Sequence, residues 1–230
     1  MMLRCYLMSI QISDNSFLVF DLDDTLYKEA DFRDSGFEFI RQEILRLYQR
    51  DIVGLLRGFY SGRSKDLFTD IINWLGLPPT SKEQFIWMYR NHQPVIAIDN
   101  DVLTMLRYLN DNTRGVSILT DGRTVTQRNK IKALCLQEFT AYISEEFDNA
   151  EKPDPLRFEF IQRLHGKCEY IYVGDNVNKD FVTPNNLGWT TIGIMDDGRN
   201  IHSQNEIISE QSRPNIWLRS ILELKGIISC

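Results

Sequence analysis

The 230-residue sequence contains no Cys-x-x-Cys pair, no His-Glu-x-x-His and no Gly-x-Ser-x-Gly. Those absences remove the usual sequence signatures of zinc sites, zinc hydrolases and serine esterases. Four cysteines, Cys5, Cys135, Cys168 and Cys230, are widely scattered. They are expected to be reduced thiols in a cytoplasmic protein rather than a disulfide frame. No run is long and apolar enough to span a membrane, and the broken apolar N-terminus is not expected to act as a signal peptide. Positive charge is scarce: 26 Lys and Arg stand against 32 Asp and Glu, a net charge of −6. This argues against nucleic acid or an anionic membrane as the main partner, because binding phosphate by charge alone needs a basic face. The stretch GFYSGRS at 58–64 lacks the spacing and the lysine of a phosphate loop, and reads as a helix break.

What the sequence does have is a normal supply of core residues, 43% hydrophobic, and one unusual junction. At 17–24 it reads FLVFDLDD, an apolar run that ends in three aspartates. Five short runs rich in β-branched and aromatic residues predict buried strands, at 17–20, 116–119, 141–144, 170–173 and 190–194. Helical spacing separates the last four: Val102, Met105, Leu106 and Leu109, then Val125 to Leu136, then Leu156 to Leu164. Strand–helix alternation predicts right-handed crossovers and a parallel sheet, an α/β Rossmann-like core. Residues 30–95 show only helical stripes, through Phe37, Ile40 and Ile44 and through Leu67, Ile71 and Trp74, with a capping box expected at Ser81 and Gln84. Two parts follow: an α/β core from 1–27 and 96–230, and an all-helical cap at 28–95 inserted after the first strand. A last helix is expected over 214–224.

Ligands of parallel sheets bind beyond the carboxyl ends of the strands. The residues predicted there are Asp21, Asp23, Asp24 and Thr25, then Thr120, Asp121, Gly122 and Arg123, then Lys152, then Asp175 and Asp180. Clustered carboxylates require a cation or raised pKa values. Oxygen donors without convergent His or Cys suit Mg²⁺, with Asp21 and Asp175 the natural pair. Thr120 and Lys152 can hold a phosphate from the other side. A rigidly held Asp21 can attack phosphorus. Asp23 can protonate the leaving oxygen and then activate water, provided its surroundings raise its proton affinity. A calcium loop is excluded, because Leu26 and Phe32 occupy the positions that need Gly and Glu. The basic residues Arg123, Arg128, Lys130 and Lys132 read as a solvated helix face, with Arg123 near enough to the site to meet substrate.

These residues resemble the haloacid dehalogenase (HAD) superfamily of phosphohydrolases. Asp21-Leu-Asp23-Asp-Thr25 matches D-x-D-x-[TV], and Thr120 in SILTDGR and Lys152 in EKPDP match the second and third motifs. Gly174-Asp175 through Asp180 matches G-D-x-x-x-x-D. The resemblance implies a mobile helical cap. It also implies Mg²⁺ held by Asp21, the Asp23 carbonyl and Asp175, with Asp180 assisting the metal shell or orienting Lys152. Asp21 would be the nucleophile and Asp23 the acid/base, in a phosphatase acting on a small phosphorylated metabolite. Thr120, Asp121, Gly122, Arg123 and Lys152 would bind the substrate. Asp121 departs from the pattern, since many relatives carry Asn there, and an acid touching the phosphate would hinder binding. The TDGR segment with QRNKIKALCL is similar to HAD proteins of surface-polysaccharide gene neighbourhoods, which favours a phosphorylated sugar. Specificity is expected from the cap and its hinges: Tyr27, Arg33, Arg57, Tyr60, Arg63, Tyr89 and Arg90. Competing readings are a sugar phosphomutase, a 2-haloacid dehalogenase and a non-catalytic phosphate-binding module.

Overall fold

The computed structural model describes residues 10–202, 204 and 209–228. Strand β1 (Ser16–Phe20) is followed by four helices, α1 (Glu29–Tyr48), α2 (Val53–Tyr60), α3 (Leu67–Leu75) and α4 (Ser81–Asn91). Then come α5 (Asn100–Asn112), β2 (Gly115–Thr120), α6 (Thr124–Ala133), β3 (Thr140–Ile143), α7 (Leu156–His165) and β4 (Glu169–Gly174). Helix α8 (Val182–Asn186), β5 (Thr190–Ile194) and β6 (Ile216–Leu218) complete the order. The strands form one parallel sheet, β3-β2-β1-β4-β5-β6. The chain leaves β1 in one direction and resumes at β4 on its other side, which makes the β1–β4 border the switch point where such sheets bind ligands.

The strand period of two sorts β1 onto two cores. Leu18 and Phe20 join the apolar cluster on one face, with Leu106, Ile118 and Val173. Phe17 and Val19 join the other, with Tyr142, Phe158 and Tyr172. Both faces are covered, which is why the strand reads as an unbroken apolar run. The four inserted helices have a cluster of their own, built on Phe37, Ile40, Ile44, Ile71 and Phe85. Burying an isoleucine such as Ile71 fully is worth about 1.5–3 kcal/mol.

Helix limits follow local chemistry. Asp66 caps α3 by accepting from Thr69 N, and Gly76 ends it in the left-handed region at φ 70°. Asp99 caps α5. The capping box expected at Ser81 does not form: Thr80 takes the cap position without a side-chain bond. The carbonyls of Pro78 and Pro79 already accept from Ser81 N and Lys82 N, so those donors have partners. Helix α2 was not evident in the sequence, because Gly54 and Gly58 interrupt its short apolar pattern. The helix expected over 214–224 is instead strand β6 followed by a 3₁₀ turn, Ile221–Gly226. Ile216 and Leu218 are buried and alternate with Trp217, a period of two that a short window hides. Cys135 and Cys168 are free thiols; Cys5 and Cys230 lie outside the described residues. Among the described residues no helix is long and apolar enough to cross a membrane.

Candidate active site

Asp21 N donates to Val173 O at 2.8 Å, so the ladder runs one residue past β1 and fixes the first aspartate at the sheet edge. The chain then turns sharply, with Asp24 at φ 57°. Asp24 spends both carboxylate oxygens on backbone: Oδ1 accepts from Glu29 N and Oδ2 from Ile201 N, each at 2.9 Å. The third acid of the run therefore fastens the start of α1 and the loop after β5.

Asp21 faces a buried lysine. Lys152 Nζ lies 2.5 Å from Asp21 Oδ1 and 2.7 Å from Asp180 Oδ1, and donates to the Tyr172 hydroxyl at 3.2 Å. Asp180 also accepts from Tyr172 Oη, Asp175 N and Asn176 N. Both its oxygens are thus committed to aiming Lys152 and shaping the loop after β4. A Cβ on Gly174 would sit 2.6 Å from Asp180 Oδ2, so only glycine permits this approach. Asp175 accepts from Asn200 Nδ2 at 2.9 Å and, weakly, from Thr25 Oγ1 at 3.5 Å.

Single oxygens of Asp21, Asp175 and Asp180 lie within 4.8 Å of one another. Burial pushes Asp21 up to about 7, with Lys152 opposing and Asp180 adding. Burial, then Asp180 and Asp21, pushes Asp175 up to about 9. One lysine against three buried carboxylates leaves negative charge unbalanced. An oxygen-only set with two acids still able to accept fits a hard divalent cation. Asp180 fits it less well, because its oxygens are already taken.

Asp23 is in a different setting. Lys130 Nζ lies 2.7 and 2.9 Å from its two oxygens, Tyr27 Oη donates to Oδ1 at 2.5 Å, and Gln127 Nε2 donates to Oδ2 at 3.1 Å. Burial works against its charge, yet the Lys130 cation and these hydrogen bonds carry its pKa below the ordinary value. The raised proton affinity that an acid role requires is absent in this conformation. Lys130 is 3% exposed, so the basic run on α6 is not one solvated face. Arg128 and Lys132 point to solvent, and Arg128 pairs with Glu146. Lys130 and Gln127 are three residues apart on the inward side of α6.

Asp121 lines the cavity, with Oδ2 3.6 Å from Lys179 Nζ. Its Oδ1 accepts from Lys152 N at 3.1 Å and pairs with Arg157, which is fully buried and also donates to the Thr120 carbonyl at 2.8 Å. Burial opposes its charge, but Lys152 and Arg157 hold its pKa below the usual range. The departure from Asn is thus compensated by Arg157, which the sequence reading missed, since it sits on an ordinary helical stripe. Gly122, at φ 130°, donates its N–H to Ser144 Oγ at 2.9 Å.

Asp21, Asp23, Asp121, Gly122, Lys130, Lys152 and Asp175 line a cavity of about 510 Å³ that also includes Thr120, Glu29, Lys179 and His202, whereas Asp180 and Arg157 lie behind its wall. Arg123 stands at its mouth, with its side chain 61% exposed and 3.7 Å from Glu145. Of the expected specificity residues, Tyr89 and Arg90 line the cavity and Tyr27 reaches Asp23. Arg33, Arg57, Tyr60 and Arg63 do not line it: Arg33 pairs with Asp34, Tyr60 donates to Asp34, Arg63 donates to Ser61 and Arg57 is exposed. Glu29, also missed, is pushed up to about 7 by burial and then by Asp23.

Residues 18–194 match the profile of a family described as haloacid dehalogenase-like hydrolase. The N-acylneuraminate-9-phosphatase of Mus musculus is 30% identical over 150 residues, spanning 63% of this chain and 56% of that protein. The glyceraldehyde 3-phosphate phosphatase of Methanopyrus kandleri is 28% identical over 199 residues, 77% of this chain and 82% of that one. In fold, the chain is similar to the HAD-hydrolase YfnB from Bacillus subtilis, solved bound to magnesium, with a TM-score of 0.64 at 17% identity over 92% of this chain and 97% of that one. The family match runs from β1 through β5 and so contains every strand end that builds the crevice; this chain belongs to the haloacid dehalogenase-like hydrolases and is a hydrolase.

Proposed function

We propose that this hydrolase is a Mg²⁺-dependent phosphatase that cleaves a small phosphorylated metabolite, a sugar phosphate or similar monoester, through a phosphorylated Asp21. The observation that carries this reading is the shared lysine: Lys152 lies between Asp21 and Asp180, with Asp175 across from it. Asp21 and Asp175, with the backbone carbonyl of Asp23, would hold the ion. Bound there, Mg²⁺ offsets the negative charge shared by the carboxylates and the phosphate.

The chain's own residues then have distinct tasks. Lys152 and Thr120 hold phosphoryl oxygens, and Asp180 keeps Lys152 aimed. An Asp21 oxygen attacks phosphorus as the bond to the leaving oxygen breaks, and Asp23, which takes up a proton only after leaving the Lys130 pair of the conformation described above, supplies the proton that oxygen takes up. Asp23, now a carboxylate, removes a proton from a water molecule. That water attacks phosphorus, releases inorganic phosphate and frees Asp21. The helices at 28–95 serve as a cap that excludes bulk water, with Tyr89 and Arg90 facing the substrate. The relatives that hydrolyse an acylneuraminate phosphate and a glyceraldehyde phosphate support a sugar-type leaving group.

Phosphate release from a panel of sugar phosphates tests the reading, run with Mg²⁺, with EDTA and with Asp21→Asn. Turnover is expected only for the wild type with Mg²⁺. Equal turnover by a folded Asp21→Asn variant removes Asp21 as nucleophile. Isomer formation without phosphate release makes the protein a mutase.

A further inference from the structure

The loop that follows β5 holds Asp175 at two points. Gln204 Nε2 donates to the Asp175 carbonyl at 2.8 Å, and Asn200 Nδ2 donates to Asp175 Oδ2 at 2.9 Å. The other end of the Asn200 amide is also taken, since its Oδ1 accepts from Lys28 Nζ at 2.7 Å. A lysine ammonium can only donate, so the amide oxygen must face Lys28 and the NH₂ must face Asp175. Lys28 therefore settles which way the amide points, and its charge strengthens the amide as a donor. The Lys28 side chain is 19% exposed and also pairs with Asp197, on the same loop, at 3.0 Å. Within the loop, Asp196 Oδ1 accepts from the N–H groups of Gly198, Arg199 and Asn200. Asp24 and the Arg199–Asp31 pair tie it to α1. An asparagine placed merely to close a loop would spend its amide on loop backbone, not on side chains from two other elements.

We infer that Asn200, aimed by Lys28, is a positioning residue that orients Asp175 for a divalent ion. The inference rests on the reading above, in which Asp175 helps to hold Mg²⁺. That ion demands near-ideal octahedral geometry, so a carboxylate already held binds it better than one that swings freely. The amide bond restrains Oδ2, while Oδ1, with its long contact from Thr25 Oγ1 at 3.5 Å, can still accept. Asn200 is neutral and adds no charge to the site, so its contribution is orientation alone. Lys28 directly precedes α1, so the same contacts tie the ion site to the start of the helical insert.

Calorimetric titration of the metal-free protein with Mg²⁺ reads this role without turnover. For Asn200→Ala the Kd for Mg²⁺ is expected to rise about 10–100-fold, as when a group that holds a metal ligand is removed. Lys28→Met gives a test of sign. Removing a cation near the site should tighten Mg²⁺ binding if Lys28 acts through its charge. If Lys28 acts by aiming Asn200, binding should weaken instead, by about threefold or more. In an Asn200→Ala background, adding Lys28→Met should weaken binding no further, because a residue acting through another is silent once that one is gone. Thermal melts in EDTA report folding, and either single variant carries the test if the other does not fold. A Kd within about twofold of wild type for folded Asn200→Ala overturns the inference, against the 10–100-fold expected of a positioning residue. So does tighter binding by Lys28→Met, or an additive loss in the double variant. Each of these leaves the phosphatase reading intact. A wild type that takes up no Mg²⁺ overturns both.

Discussion

On the sheet side of the cavity, Asp21 shares Lys152 with Asp180, and burial leaves its pKa at about 7. On the helical side, two residues further along, Asp23 has both oxygens on Lys130, and its pKa falls below the ordinary value. Asp21 is buried and Asp23 partly so, but the cations they meet differ more. Three acids around Lys152 leave a charge that a further cation or a bound proton must balance, whereas Asp23 has Lys130 at both of its oxygens. On the proposed reading the first wall receives an ion and a phosphate; the second, as the structure has it, holds the Asp23 side chain by Lys130, Tyr27 and Gln127.

The sharpest way to break this contrast is Lys152→Met. It strands buried Asp21 and Asp180, and removing one partner of a buried pair costs about 3–5 kcal/mol. Phosphate release should fall by about 10²–10³-fold or more on every substrate, as when a preorganised electrostatic group is lost. Urea unfolding and steady-state kinetics check both.

The next effect is on stability against pH. Asp21 and Asp175 have folded pKa values of about 7 and about 9 against 3.8 unfolded. The folded state binds more protons across that window, so this contribution is present below the unfolded value and lost as pH rises through the folded ones. Asp23 and Asp121 shift downward and act at acid pH instead, where their contribution is lost as pH falls. In EDTA the melting temperature should drop between pH 5 and 9, by about 2–4 °C per kcal/mol. Mg²⁺ should recover more of it at pH 8 than at pH 5, because the ion binds deprotonated ligands. Asp175→Asn should flatten the difference. A chelated wild type with a level profile would mean that the sheet side carries no excess charge.

The smallest effect is expected at the mouth. Arg123→Ala removes a 61% exposed side chain whose nearest acid is 3.7 Å away. Stability should change by less than about 0.5 kcal/mol, and kcat should hold while KM rises a few-fold at most. A hundredfold loss in kcat would place Arg123 on the reacting phosphate.

Much of the sheet side was legible in the sequence. Each acid, the threonine and the lysine follow a strand whose apolar run is visible, and β1, β2, β4 and β5 lie within one residue of their expected limits. The helical side was not. Lys130 read as one of several solvated charges, and Asp24 as a companion acid rather than the fastener of α1 and the 196–201 loop. Strand β6 was hidden because three residues are too few to show a period.

Order along the chain determined which side chains reach the sheet edge, because alternation in a buried strand and the residue that ends it are local properties. Tertiary structure decided which cation each acid meets. Asp23 and Lys130 are 107 residues apart in sequence, and Asp121 and Arg157 are 36 apart. A helix pattern cannot say which polar residue faces inward until the partner surface is in place. That is the physical reason why Lys130 and Arg157 became visible only in the folded chain.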